Sequence, residues 1–209
     1  MGVLQSGFGC LSWIGAGIIV ILLILKVVFF DMADMGHNGM APTLLRGERV
    51  IINKRAEPKL NAIAVCQHPS EEGWVVGRVV ATEGQTIGSF GEELRIDGAV
   101  IPFDERGITD FYNEDNELKR SVKYGTEKIA ENSHTIFLTR SEPQHLVRKT
   151  TVESGKLFLL GDYRGYMGQD SRPYGQVDAS SCRGAIVFRL TPMAGLPHEI
   201  AHGYFQVVH

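Results

Sequence analysis

No C-x-x-C pair, no Cys/His cluster at zinc spacing and no run of basic side chains occurs in this sequence, and each absence removes a class of function. The first two exclude the common structural zinc modules and thiol redox motifs. Lacking a clustered basic face, with 21 basic against 24 acidic side chains and a net charge of -3, the chain is not expected to bind nucleic acid. Cysteine is scarce. Cys10, Cys66 and Cys182 are an odd count, which argues against a fully paired framework and leaves room for one Cys66–Cys182 bridge. Of seven histidines only His198 and His202 lie four apart. With no acidic or third ligand at matching spacing they read as tail surface rather than a metal pair. No internal repeat is visible, and nothing calls for a cofactor.

What is present begins with a long apolar run. Leu11 to Phe30 reads LSWIGAGIIVILLILKVVFF, about the 20 residues that a helix needs to cross a bilayer core. Its one charge, Lys26, lies near enough to the end to reach the headgroups, and Trp13 and Phe29–Phe30 suit the two interfaces. A buried core helix would be unusual at this length with apolar residues on all faces. A cleavable signal peptide would carry a basic leader and a small-x-small site, and Met1 to Cys10 has no Lys or Arg. The expectation is one uncleaved transmembrane helix at 11–30 behind a flank at 1–10, with membrane lipid as its first partner.

From Arg49 onward the chain reads as short β segments rich in β-branched residues: Arg49–Ile52, Ala62–Val65 and Trp74–Val80, then Thr135–Thr139, Leu157–Leu160 and Ala185–Leu190. Glu93 to Pro102 alternates around Asp97-Gly98, a hairpin signal. The stretch 103–133 is polar and mixed in charge, and reads as an inserted cap or loop region. The domain, 31–102 with 134–192, is expected to be mainly β, a barrel or paired sheets, followed by a tail at 193–209.

Four blocks then occur in order. Gly39-Met40-Ala41-Pro42-Thr43-Leu44 with Arg46 to Lys54 is similar to S-M-x-P-T-L and the strand after it. Gly77 to Ile87 is similar to K-R-V-I-G-x-x-G-D-x-I. Gly161-Asp162-Tyr163-Arg164 with Asp170 to Val177 is similar to G-D-N-R…D-S-R-x-x-G-x-V, and Arg183 to Pro192 resembles a last strand. With the leading span, the chain resembles the type I signal peptidase family, peptidase family S26, and its mitochondrial inner-membrane branch. The resemblance implies an antiparallel β-barrel or sheet domain behind one transmembrane helix. It places that domain in the mitochondrial intermembrane space, or alternatively in the periplasm or exterior of a bacterium.

In that family a Ser nucleophile and a Lys base cut pre-proteins, because a serine hydroxyl is inert near neutral pH until a base takes its proton. The matching positions here are Gly39 and Gly77. The family's oxyanion-assisting hydroxyl falls on His37, and its lysine-supporting serine falls near Met167–Gly168. Thr43 and Ser171 are the nearest hydroxyls in sequence. Glycine offers neither nucleophile nor base, so the expectation is a non-enzyme, a pseudo-peptidase acting as an accessory or structural subunit of a membrane complex, with its other subunits as partners. The alternatives are a binder of signal-peptide-like segments that regulates an active signal peptidase, and an active serine endopeptidase. Asp162, Asp170 and Arg172 are expected to brace the loop behind the site, and Met40, Pro42, Trp74 and Val76 to line a peptide groove.

Overall fold

The computed structural model describes residues 6–91, 93–113, 118–139, 146–166, 168–196 and 198–208. Helix α1 (Ser6–Phe29) contains no proline and is rich in Leu and Ile, and it passes straight into strand β1 (Phe30–Asp34). Its last carbonyl, on Phe29, accepts the Lys54 amide at 2.9 Å, so the neighbouring strand caps the helix end. The expected span at 11–30 is thus helical up to Phe29, with Phe30 already extended. Ile18, Ile19, Val20 and Ile21 all face outward. Among the described residues no helix is long and apolar enough to cross a membrane.

The chain continues through β2 (Arg49–Asn53), β3 (Ile63–Gln67), β4 (Trp74–Thr82), β5 (Thr86–Phe90), β6 (Glu93–Ile96) and β7 (Ala99–Val100). Next come β8 (Phe103–Asn113), β9 (Leu118–Ile129), β10 (Asn132–Thr139), β11 (Thr150–Thr151) and β12 (Lys156–Leu160). The one-turn helix α2 (Ser171–Tyr174) precedes β13 (Val177–Asp178), β14 (Cys182–Thr191) and β15 (Gln206–Val207). The large sheet has the order β1-β2-β14-β3-β4-β12-β13, with β15 added beside β14. Every pairing between named strands is antiparallel, which makes the fold mainly β. Cys66 and Cys182 are register partners on β3 and β14 and form a disulfide.

β5, β6, β7 and β11 form a four-stranded sheet. Its β6–β7 turn is the Asp97-Gly98 pair, where both residues have positive φ, 52° and 82°. The third sheet, β8-β9-β10, is where the structure corrects the sequence. The polar stretch 103–133 is not a loop; it supplies two long paired strands. The reason is that few positions there carry buried apolar groups, Phe111 and Val122 in one cluster and Ile129 in another, so the polar average hid the pattern.

This third sheet locks onto the loop after β12. Phe137 packs with Phe111 and Tyr163, with ring centroids 5.2 and 6.0 Å away. Its amide donates to the Asp162 carbonyl at 2.9 Å, and its carbonyl accepts from the Arg164 amide at 2.9 Å. Phe137 has no exposed surface. Phe137→Ala is expected to cost about 3–5 kcal/mol, from lost burial and the cavity left behind. Urea unfolding measures this, and a change below about 1 kcal/mol would show that the sheet does not depend on this contact.

Candidate active site

Both glycines that match the chemical positions pack on one short stretch, Leu159 to Gly161. Gly77 lies in β4, opposite Ala64 of β3. A Cβ at 77 would sit 2.9 Å from Leu159 Cβ. Gly39 lies in the loop between β1 and β2, and its carbonyl approaches Gly161 so closely that a Cβ at 161 would be 2.5 Å from it. Glycine is needed at 161 for this approach. The Tyr163 amide then donates to the Gly39 carbonyl at 3.1 Å. Gly39 and Gly77 are both buried.

His37 covers Gly39. Its Nδ1 accepts the Gly39 amide at 3.0 Å, and its ring stacks on Tyr166 with centroids 5.6 Å apart. A Cβ at 39 would lie 2.8 Å from His37 Nδ1 and 3.1 Å from Tyr166 Cδ1. His37 and Tyr166 therefore fill the space that a side chain at 39 would need. Met167 lies outside the described residues, and Gly168 is exposed with φ 101°.

Buried ion pairs fix these segments. Arg78, next to Gly77, donates from Nε to Asp162 Oδ1 at 2.8 Å and from Nη2 to Oδ2 at 2.6 Å, and both side chains are fully buried. Arg78 Nη1 also reaches the Asn61 carbonyl at 2.9 Å. Thr43 Oγ1 donates to Asp162 Oδ2, which ties the Gly39 loop to the same carboxylate. Burial acts to raise the Asp162 pKa, but the Arg78 charge and hydrogen bonds prevail and hold it below its ordinary value.

Asp170 accepts the Gly161 amide at 3.2 Å and pairs with Arg172 at 2.6 Å. Arg172 Nη1 in turn donates to the Arg164 carbonyl at 2.7 Å. Asp162, Asp170 and Arg172 thus form the interior of this loop. Ser171 Oγ accepts the Leu159 amide at 2.9 Å, and Thr43 is engaged by Asp162. Each of the two nearby hydroxyls is held in the framework.

The groove expected from Met40, Pro42, Trp74 and Val76 is not formed as one surface. Met40 and Pro42 are buried, because the loop turns Met40 into a core with Leu44, Val50 and Ile52. Val76 is half-buried against the same core, and only Trp74 is exposed, with the Arg183 guanidinium 4.8 Å from its ring centroid. A cleft of about 310 Å³ does lie beside Trp74, walled by His68, Gly168, Gln169 and Tyr174. Of the two histidines read as tail surface, His198 is exposed, whereas His202 turns inward and its Nδ1 lies 2.6 Å from Glu48 Oε1. Among the described residues no cluster of three His, Cys, Asp or Glu side chains is placed to hold a metal.

Sequence reasoning did not find one pair. Arg164 and Glu127 join the loop to β9 through Nη1 to Oε1 at 2.9 Å and through Nη2 to Oε2. Only the Arg164 half lay in a recognisable block. Burial works to raise Glu127, but Arg164 and His134 outweigh it and bring it down to about 2. Burial also lowers His134 from 6.5, keeping the imidazole neutral.

Two predictions follow from this network. Asp162→Asn leaves Arg78 charged and uncompensated, and should cost about 3–5 kcal/mol by urea unfolding; an unchanged midpoint would contradict the role of the pair. The pH profile has a definite sign. Groups whose pKa is depressed in the folded state stabilise above the unfolded pKa and lose that contribution as pH falls. Stability should therefore decline below 6.5 through His134 and steepen from 4.5 towards 2 through Glu127. A urea midpoint flat from neutral pH to about 3 would contradict this.

The comparisons with known proteins agree with the ordered blocks. The model of the family described as "Signal peptidase, peptidase S26" matches residues 10–191. Signal peptidase I of Streptococcus pneumoniae is 29% identical over 189 residues, which is 84% of this chain and 90% of that protein. Signal peptidase IB of Staphylococcus aureus is 23% identical over 196 residues, 90% and 93% of the two chains. A solved signal peptidase I from Enterococcus faecalis aligns with 61% of this chain and 95% of its own at 23% identity, with a TM-score of 0.36. These relatives are bacterial and give the mitochondrial branch no support. They also overturn the expectation of a non-enzyme, since proteins matched over most of this chain are named as signal peptidases. That expectation rested on two positions, and glycine there removes two side chains without removing the surrounding framework. A match over residues 10–191 shows that the chain belongs to the signal peptidase family, peptidase S26.

Proposed function

We propose that this protein acts on pre-proteins at a membrane surface, engaging the extended segment at the end of a signal peptide. The observation that carries the reading is the open side of β4. Trp74 to Gly77 pairs with β3 on one side, while β12 pairs with β4 only from Arg78 to Thr82. Among the described residues no strand lies on the other side of Trp74–Gly77, so an extended peptide can add there through main-chain hydrogen bonds. The cleft beside Trp74 gives room for a small side chain. His37 and Tyr166 are the side chains nearest the Gly39 peptide, and a segment reaching it has to displace or stack on them.

The reading includes an anchor at 11–30. Ile18, Ile19, Val20 and Ile21 of α1 are each more than half exposed, and lipid is the solvent that favours them. The Cys66–Cys182 bridge suits the oxidising side of a bacterial plasma membrane, where a folded domain on the exterior would meet emerging pre-proteins.

The test uses the full chain in lipid nanodiscs and a pre-protein segment carrying a small-x-small site and a photo-cross-linker. Cross-links are expected at 74–77 and in 168–174. Trp74→Ala should weaken binding about three- to thirty-fold, as loss of an aromatic anchor does. Absence of binding at high micromolar concentration, or cross-links confined to other surfaces, would rule the reading out.

A further inference from the structure

Two strands from the open side of β4, one residue of β14 stands out of its ladder. Cys182 faces Cys66 and Gly184 faces Val65 on β3, so Arg183 is bulged. A bulge re-aims the side chain that it carries. Here both ends of the bulge are fixed. Cys182 is tied to Cys66 by the disulfide. Gly184, at φ 142°, presses on β2 so closely that a Cβ there would lie 2.2 Å from the Asn53 carbonyl oxygen. The backbone of Arg183 is thus held from both sides.

Its side chain reaches across β3 to Trp74. The guanidinium lies 4.8 Å from the centre of the Trp74 ring, and Nη1 lies 3.4 Å from Asp31 Oδ2. Asp31 follows the end of α1 by two residues. On β3, Cys66 pairs with Val75 and Gln67 with Trp74, so the bridge lies one residue from each member of the stack. Trp74 is 48% exposed, and ordering an exposed side chain under a docking peptide loses entropy. A guanidinium stacked on the indole orders it in advance.

We propose that Arg183 is the positioning residue of the pre-protein edge and that the Cys66–Cys182 bridge holds it in place, so that the edge is fully formed only in the oxidised protein. The inference rests on the reading of Trp74–Gly77 as a peptide surface. A dithiol opens the bridge by thiolate attack on the Cys182 sulfur, because Cys182 is partly exposed and Cys66 has no exposed surface. The S–S bond breaks, the dithiol closes to its own disulfide, and two electrons and two protons pass to Cys66 and Cys182. The bulge is then held at Gly184 alone, and the Arg183 stack loosens.

The test uses the full chain in nanodiscs with Trp13→Phe, which leaves Trp74 as the one indole. Oxidised and dithiothreitol-reduced protein are compared for acrylamide quenching of Trp74 and for binding of the small-x-small segment. Reduction and Arg183→Gln are each expected to raise quenching and to weaken binding about two- to fivefold, the scale of a partly exposed cation–π contact. Arg183→Lys keeps the charge but not the flat stack, and should fall between. Quenching and binding that ignore both reduction and Arg183→Gln would overturn the proposal. So would weaker binding with unchanged quenching, because the role is to hold the ring. An oxidised parent that binds no segment refutes the peptide surface and this role with it; quenching that still responds to reduction then locates the failure in the surface.

Discussion

The Arg78–Asp162 pair is the interaction on which the rest of this structure depends. Two opposite charges without any exposed surface are tolerated only when geometry and further hydrogen bonds offset the loss of water. Here both Asp162 oxygens meet Arg78, and Thr43 and the Asn61 carbonyl take part of the remaining capacity. The consequence is positional. Arg78 belongs to β4, Asp162 to the loop after β12, and Thr43 to the loop that carries Gly39, so one carboxylate sets three segments against one another. A hydrophobic contact could join the same segments but would fix their register less tightly.

Around this pair the loop is built in layers. Asp170 and Arg172 hold its inner carbonyl and amide groups, and Arg164 with Glu127 fastens it to the third sheet. His134 sits between the two carboxylates of different pairs and stays neutral through burial. The third sheet is thus part of the support for the site. A peptide meeting Trp74–Gly77 would bind an edge whose position is already set by buried charge, at little ordering cost.

Much of this was legible in the sequence because the informative residues are local. The Asp97-Gly98 turn announced its hairpin, and the β-branched runs of β2, β3 and β4 announced strands. Asp162, Asp170 and Arg172 stood in recognisable blocks. What stayed hidden was non-local. Nothing near Glu127 marks it as the partner of Arg164, 37 positions on. The few buried apolar positions of β8 and β9, shared between two clusters, were lost in a polar average. Met40 sits beside Gly39 in a block of known order, yet the backbone turns its side chain inward and closes the groove expected there. The two glycines drew the eye to missing chemistry, whereas in the structure a side chain at 39 would meet His37 and Tyr166 and one at 77 would meet Leu159. A Cβ at 161 or 77 would push apart the segments that Asp162 draws together.

The central claim is that the buried pair couples the Gly39 loop to β4 through Leu159–Gly161. Residue-resolved hydrogen exchange on the Asp162→Asn variant tests it most directly. The account predicts that the Gly39 and Tyr163 amides lose protection together with the Arg78 end of β4, as one cooperative opening. Loss of protection confined to the loop around residue 162, with Gly39 and β4 unchanged, would contradict it.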